Sequence, residues 1–97
     1  MKKNELEYEL EDIILVLSKI DSKDRIFDLF LDLMTEKEML EFSRRLEVAK
    51  MLDDSISYSR IEKKTWMSST TIAKVSKALN SDNFGYKHAI NILSGNS

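Results

Sequence analysis

An all-α fold follows from three features of this 97-residue sequence. It has no proline, its only two glycines come late, at Gly85 and Gly95, and its apolar residues recur at helical spacing. Strands need the sharp turns that glycine and proline supply, whereas helix interiors exclude both residue types. The length fits one domain, residues 1–97, that buries roughly two-thirds of its unfolded surface.

The first segment places Leu6, Leu10, Ile13, Leu17 and Ile20 four and three apart, one stripe along a single helix. Glu5, Glu7, Glu9, Glu11 and Asp12 supply an acidic opposite face. Asp21 and Ser22 then offer a cap for a second helix, Lys23 to about Met34. That helix carries Ile26, Phe27, Leu29, Phe30, Leu31, Leu33 and Met34, apolar around much of its circumference. Such a helix needs cover on two sides, which a thin monomeric core supplies poorly and a second copy of the chain supplies well.

Thr35-Glu36-Lys37-Glu38 fits a capping box, opening a third helix that runs through Leu40, Phe42, Leu46, Ala49 and Leu52 and breaks at Asp53-Asp54-Ser55. Ser57 caps a short helix over Tyr58–Lys64. Ser68 or Ser69 caps another that ends near Leu79. Asn80 to Asn83 form a turn, with Ser81 or Asp82 as the cap of a last helix, residues 82–94, ending near Leu93. The tail Ser94–Ser97 is expected to fray.

Several function classes drop out. Without cysteine there is no disulfide, thiolate site or cysteine nucleophile. His88, the sole histidine, has no partner for a metal and reads as a surface or half-buried helix residue. The carboxylates of residues 5–12 read as a solvated face. No glycine-rich phosphate loop and no Ser/His/Asp set is present, so neither enzyme activity nor a cofactor is expected. The N-terminus lacks the apolar core of a signal peptide, and no apolar run reaches the ~18 residues of a membrane span. A cytoplasmic protein without membrane contact is expected.

Net charge is only −2, but it is unevenly spread. Residues 1–42 carry six cations and twelve acids, a balance of −6. Residues 43–80 carry eight cations (Arg44, Arg45, Lys50, Arg60, Lys63, Lys64, Lys74, Lys77) and four acids (Glu47, Asp53, Asp54, Glu62), a balance of +4. This asymmetry points to a polyanion-facing surface in the second half.

The stretch 57–80 has the proportions of a helix-turn-helix, a short bracing helix, a tight turn and a longer helix free to enter a major groove. Ile61, Met67, Ile72, Val75 and Leu79 stand at the offsets that fasten such a pair. Between them the second helix leaves Ser69, Thr70, Ala73, Lys74 and Lys77 outward, small or cationic residues suited to base edges and phosphates. Arg60, Lys63 and Lys64 are the phosphate candidates on the bracing helix, and no acid occurs between Lys63 and Asn80. Tyr58 and Tyr86 read as packing residues, with a phosphate hydrogen bond as the alternative for Tyr58. One of Arg44 and Arg45 is expected to pair with an acid. Trp66 occupies the turn position where glycine is usual, so the turn is expected in another geometry, with Trp66 either packed on the core or exposed as a wedge.

Arg45-Leu46-Glu47-Val48-Ala49-Lys50-Met51-Leu52, Tyr58, Ile61-Glu62, Thr71-Ile72-x-Lys74-Val75 and Leu79-Asn80-x-x-Asn83-x-Gly85-Tyr86 resemble the YerC/YecD-type branch of the Trp repressor superfamily. The resemblance covers about residues 22 to 94. It implies a six-helix subunit whose N-terminal helices, within residues 1–54, interlock in a two-fold homodimer. It also implies a helix-turn-helix that binds duplex DNA to regulate transcription. The two arginines that hold tryptophan in the Trp repressor fall on Arg45 and Lys74, a possible effector pocket, and a glycine that leaves room there falls on Val75. Valine methyls occlude that space and lysine does not stack on a ring as guanidinium does, so tryptophan is not expected as co-repressor. Another small-molecule ligand stays open. Ser55 and Trp66 replace glycines usual in the branch. The rival reading is a helical dimeric protein-interaction adaptor that keeps the fold and has lost DNA binding.

Overall fold

A computed structural model describes residues 1–95, and all regular structure among them is helical. Seven helices follow in order: α1 Lys3–Glu9, α2 Glu11–Lys19, α3 Lys23–Leu33, α4 Glu36–Asp53, α5 Tyr58–Thr65, α6 Ser69–Leu79 and α7 Gly85–Leu93. The expected six become seven because the first segment is interrupted at Leu10 (φ −95°, ψ 4°). Like charges three and four residues apart, Glu5 with Glu9, Glu7 with Glu11 and Glu9 with Asp12, weaken the helix around that point. The backbone ladder nonetheless continues across it. Leu10 N–H donates to the Leu6 carbonyl and Ile14 N–H to the Leu10 carbonyl, each at 3.0 Å.

The chain divides into two compact units, residues 1–36 and 37–97. In the first, Ser22 caps α3 by accepting the Arg25 N–H at 3.4 Å. None of its described residues is buried. Ile13, Ile20, Ile26, Leu29, Phe30 and Met34 are half-buried. Phe27 and Leu31, one turn apart on α3, are 58% and 52% exposed. The amphipathic pattern therefore forms helices here without forming an interior.

The second unit holds the core: Val48 and Ala49 of α4, Ile61 of α5, and Ile72 and Val75 of α6. Met51, Leu52, Ile56, Met67, Tyr86 and Ile90 pack around them. Each fully buried aliphatic side chain contributes about 1.5–3 kcal/mol. Thr35 immediately precedes α4, as the capping-box spacing requires. At its other end α4 closes in a Schellman motif. Ile56 N–H donates to the Met51 carbonyl and Ser55 N–H to the Leu52 carbonyl, both at 3.0 Å, with Ser55 left-handed at φ 61°. Met51 and Ile56 both pack on the core, the hydrophobic contact that accompanies this motif.

The start of α7 differs from expectation. Neither Ser81 nor Asp82 caps it; the preceding residue is Phe84, left-handed at φ 61°, with no side-chain cap. Ser81 is engaged elsewhere. Its hydroxyl donates to the Ala78 carbonyl (2.7 Å) and accepts the Asn83 N–H (3.3 Å), binding the turn to the end of α6. Of the tail expected to fray, Ser94 and Gly95 are held on α7 through Ile90 and Ile92 carbonyls, and Asn96 and Ser97 lie outside the described residues.

Candidate nucleic-acid interface

Serine caps set both helices of the 57–80 segment. Ser57 accepts the Arg60 N–H at 3.4 Å and starts α5. Ser68, not Ser69, caps α6: its oxygen accepts the Thr71 N–H at 3.2 Å, and Ser69 is the first helical residue. A three-residue connection, 66–68, joins an eight-residue helix to one of eleven.

Periodicity then divides each helix into an anchored face and an open one. Ile61 and Thr65 are the buried residues of α5, and Ile72, Val75 and Leu79 those of α6. On α6, Ser69, Thr70, Ala73, Lys74 and Lys77 are all exposed. Thr70, Ala73, Lys74 and Lys77 stand at i, i+3, i+4 and i+7, one face of the helix. On α5, Arg60, Lys63 and Lys64 are likewise exposed and share a face by the same spacing. Glu62 is exposed too, so its carboxylate stays in water.

The turn is held from inside by a residue that pattern reading overlooked. Thr65 is only 4% exposed. Its hydroxyl donates to the Ile61 carbonyl at 2.8 Å and accepts the Met67 N–H at 3.3 Å, so both roles of the oxygen are used. The signal was a threonine four residues after a core isoleucine, the spacing at which a hydroxyl reaches back to a helix carbonyl. Next to it, Trp66 adopts the left-handed conformation itself (φ 63°, ψ 14°), and its N–H donates to the Glu62 carbonyl at 2.9 Å. The bulky residue has taken the geometry that favours glycine rather than altering the turn. Its side chain is 88% exposed, which decides between the two possibilities for it.

The two residues of the possible effector pocket stand on different helices. Arg45, half-buried on α4, places Nη2 3.1 Å from Glu41 Oε1, the ion pair expected of one of the two arginines. Lys74 is exposed on α6. A shallow hollow in the same unit is lined by Leu46, Ala78, Asn83, Gly85, Tyr86 and Ala89, and includes neither of them. Tyr86 is half-buried against the core, Tyr58 is 43% exposed, and His88 is exposed on α7. No helix among the described residues is long and apolar enough to cross a membrane.

Comparison with known proteins converges on one family. The family model described as Trp repressor protein matches residues 8–94. The uncharacterized protein YerC of Bacillus subtilis (strain 168) is 39% identical over 77 residues, 79% of this chain and 71% of that protein. A crystal structure of a candidate Trp repressor from Staphylococcus aureus superposes with a TM-score of 0.86 at 26% identity, covering 97% of this chain and 95% of the other. That of a TrpR-like protein from Eubacterium eligens ATCC 27750 gives 0.87 at 34% identity, covering 95% and 96%.

Proposed function

The chain belongs to the Trp repressor family, and on that premise we propose that it is a sequence-specific DNA-binding regulator of transcription, a repressor acting as a homodimer in the cytoplasm. The observation that carries this reading is the α6 surface. Five small or cationic residues stand outward on a helix whose opposite face is fastened by Ile72, Val75 and Leu79, with no acid from Lys63 to Asn80. Small hydroxyl residues allow close approach to base edges, and cations neutralise phosphate.

A second copy of the chain supplies what residues 1–36 lack, an apolar partner for Phe27, Leu31 and the Leu6–Ile20 stripe. Two-fold symmetry then sets the two copies of α6 about 34 Å apart, one turn of B-DNA, so that both enter successive major grooves on one face. Ser69, Thr70, Ala73, Lys74 and Lys77 take the groove, and Arg60, Lys63 and Lys64 take phosphates. Tryptophan is not the effector in this reading: Val75 fills interior space at 2% exposure, and Arg45 is engaged by Glu41. The protein has no catalytic role.

Gel retardation on duplexes selected from genomic DNA tests the assignment. Replacing Lys74 and Lys77 by alanine abolishes retardation and leaves helicity intact. A double variant that bound like the parent would remove α6 from the interface. The adaptor alternative draws on the acidic N-terminal helices and the exposed Trp66, and predicts no affinity for any duplex even at low ionic strength.

A further inference from the structure

The HTH surface carries one residue that the cation-and-hydroxyl reading leaves unused. Trp66 is the only tryptophan of the chain, and almost its whole side chain is in water. Its backbone is also left-handed, a conformation that disfavours any residue with a Cβ. A glycine would remove both costs at once. Inside the chain these costs bring no compensating contact, since the turn is tied by Thr65 and by the Trp66 backbone, not by the ring.

The surroundings indicate what the ring is presented to. Lys63 and Lys64 precede it, Ser68, Ser69 and Thr70 follow it, and all five are exposed. The next acid after Glu62 is Asp82. The indole is an apolar plate whose one polar atom, Nε1–H, donates and cannot accept, which matches phosphate oxygen. The Thr65 bridge fixes the turn, so the ring is carried on a preorganised platform that loses little freedom on binding.

We propose that Trp66 is a DNA-contact residue. Its face lies against the sugar and base wall bordering the groove that α6 enters, and its Nε1–H donates to a phosphate of the same strand. This rests on the DNA-binding reading above and adds to it an affinity component that does not depend on charge.

The test uses the whole 97-residue chain and a retarded duplex. Because Trp66 is the sole tryptophan, its emission reports the site directly. Duplex binding shifts the emission to shorter wavelength or quenches it, and shields the ring from iodide. Trp66→Gly raises the melting temperature by about 2–8 °C, the shift expected in a domain of this size when a left-handed residue is relieved. The same variant weakens duplex binding on the order of tenfold or more, the scale of one aromatic–nucleotide contact. It leaves the slope of log affinity against log salt unchanged, because no cation is removed. Duplex that binds without altering emission or iodide access overturns the proposal while the DNA-binding reading stands. So does a Trp66→Gly variant that binds as tightly as the parent. A parent that binds no duplex at low salt overturns the DNA-binding reading and this inference with it.

Discussion

The Thr65 hydroxyl donates to the Ile61 carbonyl at 2.8 Å, linking the one buried polar residue among those described to a fully buried isoleucine of the core. Through the same oxygen the Met67 N–H is satisfied, so a single atom joins the end of α5 to the approach to α6. Thr65→Val keeps the shape and leaves that N–H without its partner. The expected loss is about 1–3 kcal/mol, the cost of a partly buried unsatisfied donor, read from urea denaturation. Thr65→Ser retains most of the stability. If Val and Ser variants unfolded at the same urea concentration as the parent, the bridge would have no energetic role.

Ser55 offers a test of backbone strain free of any binding role. It sits at φ 61° in the Schellman turn after α4. Ser55→Gly relieves the left-handed conformation at some cost in unfolded-chain entropy, and the net expectation is a gain of about 0.5–1 kcal/mol. Thermal denaturation followed by circular dichroism measures it. A lower melting temperature would contradict the left-handed geometry at this joint.

Self-association is expected to depend on α3. Phe27 and Leu31 lie one turn apart and are both exposed in the single chain. Replacing both by glutamate yields a monomer in sedimentation equilibrium, and the concentration dependence of the parent's melting temperature disappears. A parent that sediments as a monomer at micromolar concentration would refute the homodimer.

Salt dependence counts the phosphates. Six neutralised per dimer give a slope of log affinity against log salt near −5, roughly −0.9 for each. Lys63→Ala removes one contact per subunit, so the slope becomes shallower by about 2. An unchanged slope would take Lys63 off the phosphate backbone.

Legibility in the sequence followed the kind of group that performs each task. Helix starts made by a serine hydroxyl were readable outright at Ser57 and to within one residue at Asp21-Ser22 and Ser68-Ser69, because the capping residue and the apolar period mark them together. The start of α7 was not, since it depends on Phe84 adopting a backbone conformation that its side chain does not advertise. The interruption at Leu10 was equally hidden: an apolar stripe runs through it, and only the like-charge spacing of the neighbouring glutamates hints at it. On α6, helical periodicity separated buried Ile72 and Val75 from exposed Lys74 and Lys77 correctly. The same reasoning passed over Thr65, because a hydroxyl after two lysines looks like surface until its donor and acceptor partners are located. For Trp66 the residue type allowed burial or exposure equally, and only the observed exposure of the ring decided.

The absence of any buried side chain among residues 1–36 bears on the order of events during synthesis. Those residues emerge from the ribosome before Val48, Ile61, Ile72 and Val75, and so before the only described core exists. Domains made N-terminus first usually set in that direction. A core drawn from Val48 to Val75 cannot form until those residues have emerged, so Phe27 and Leu31 have no such interior to pack on before then.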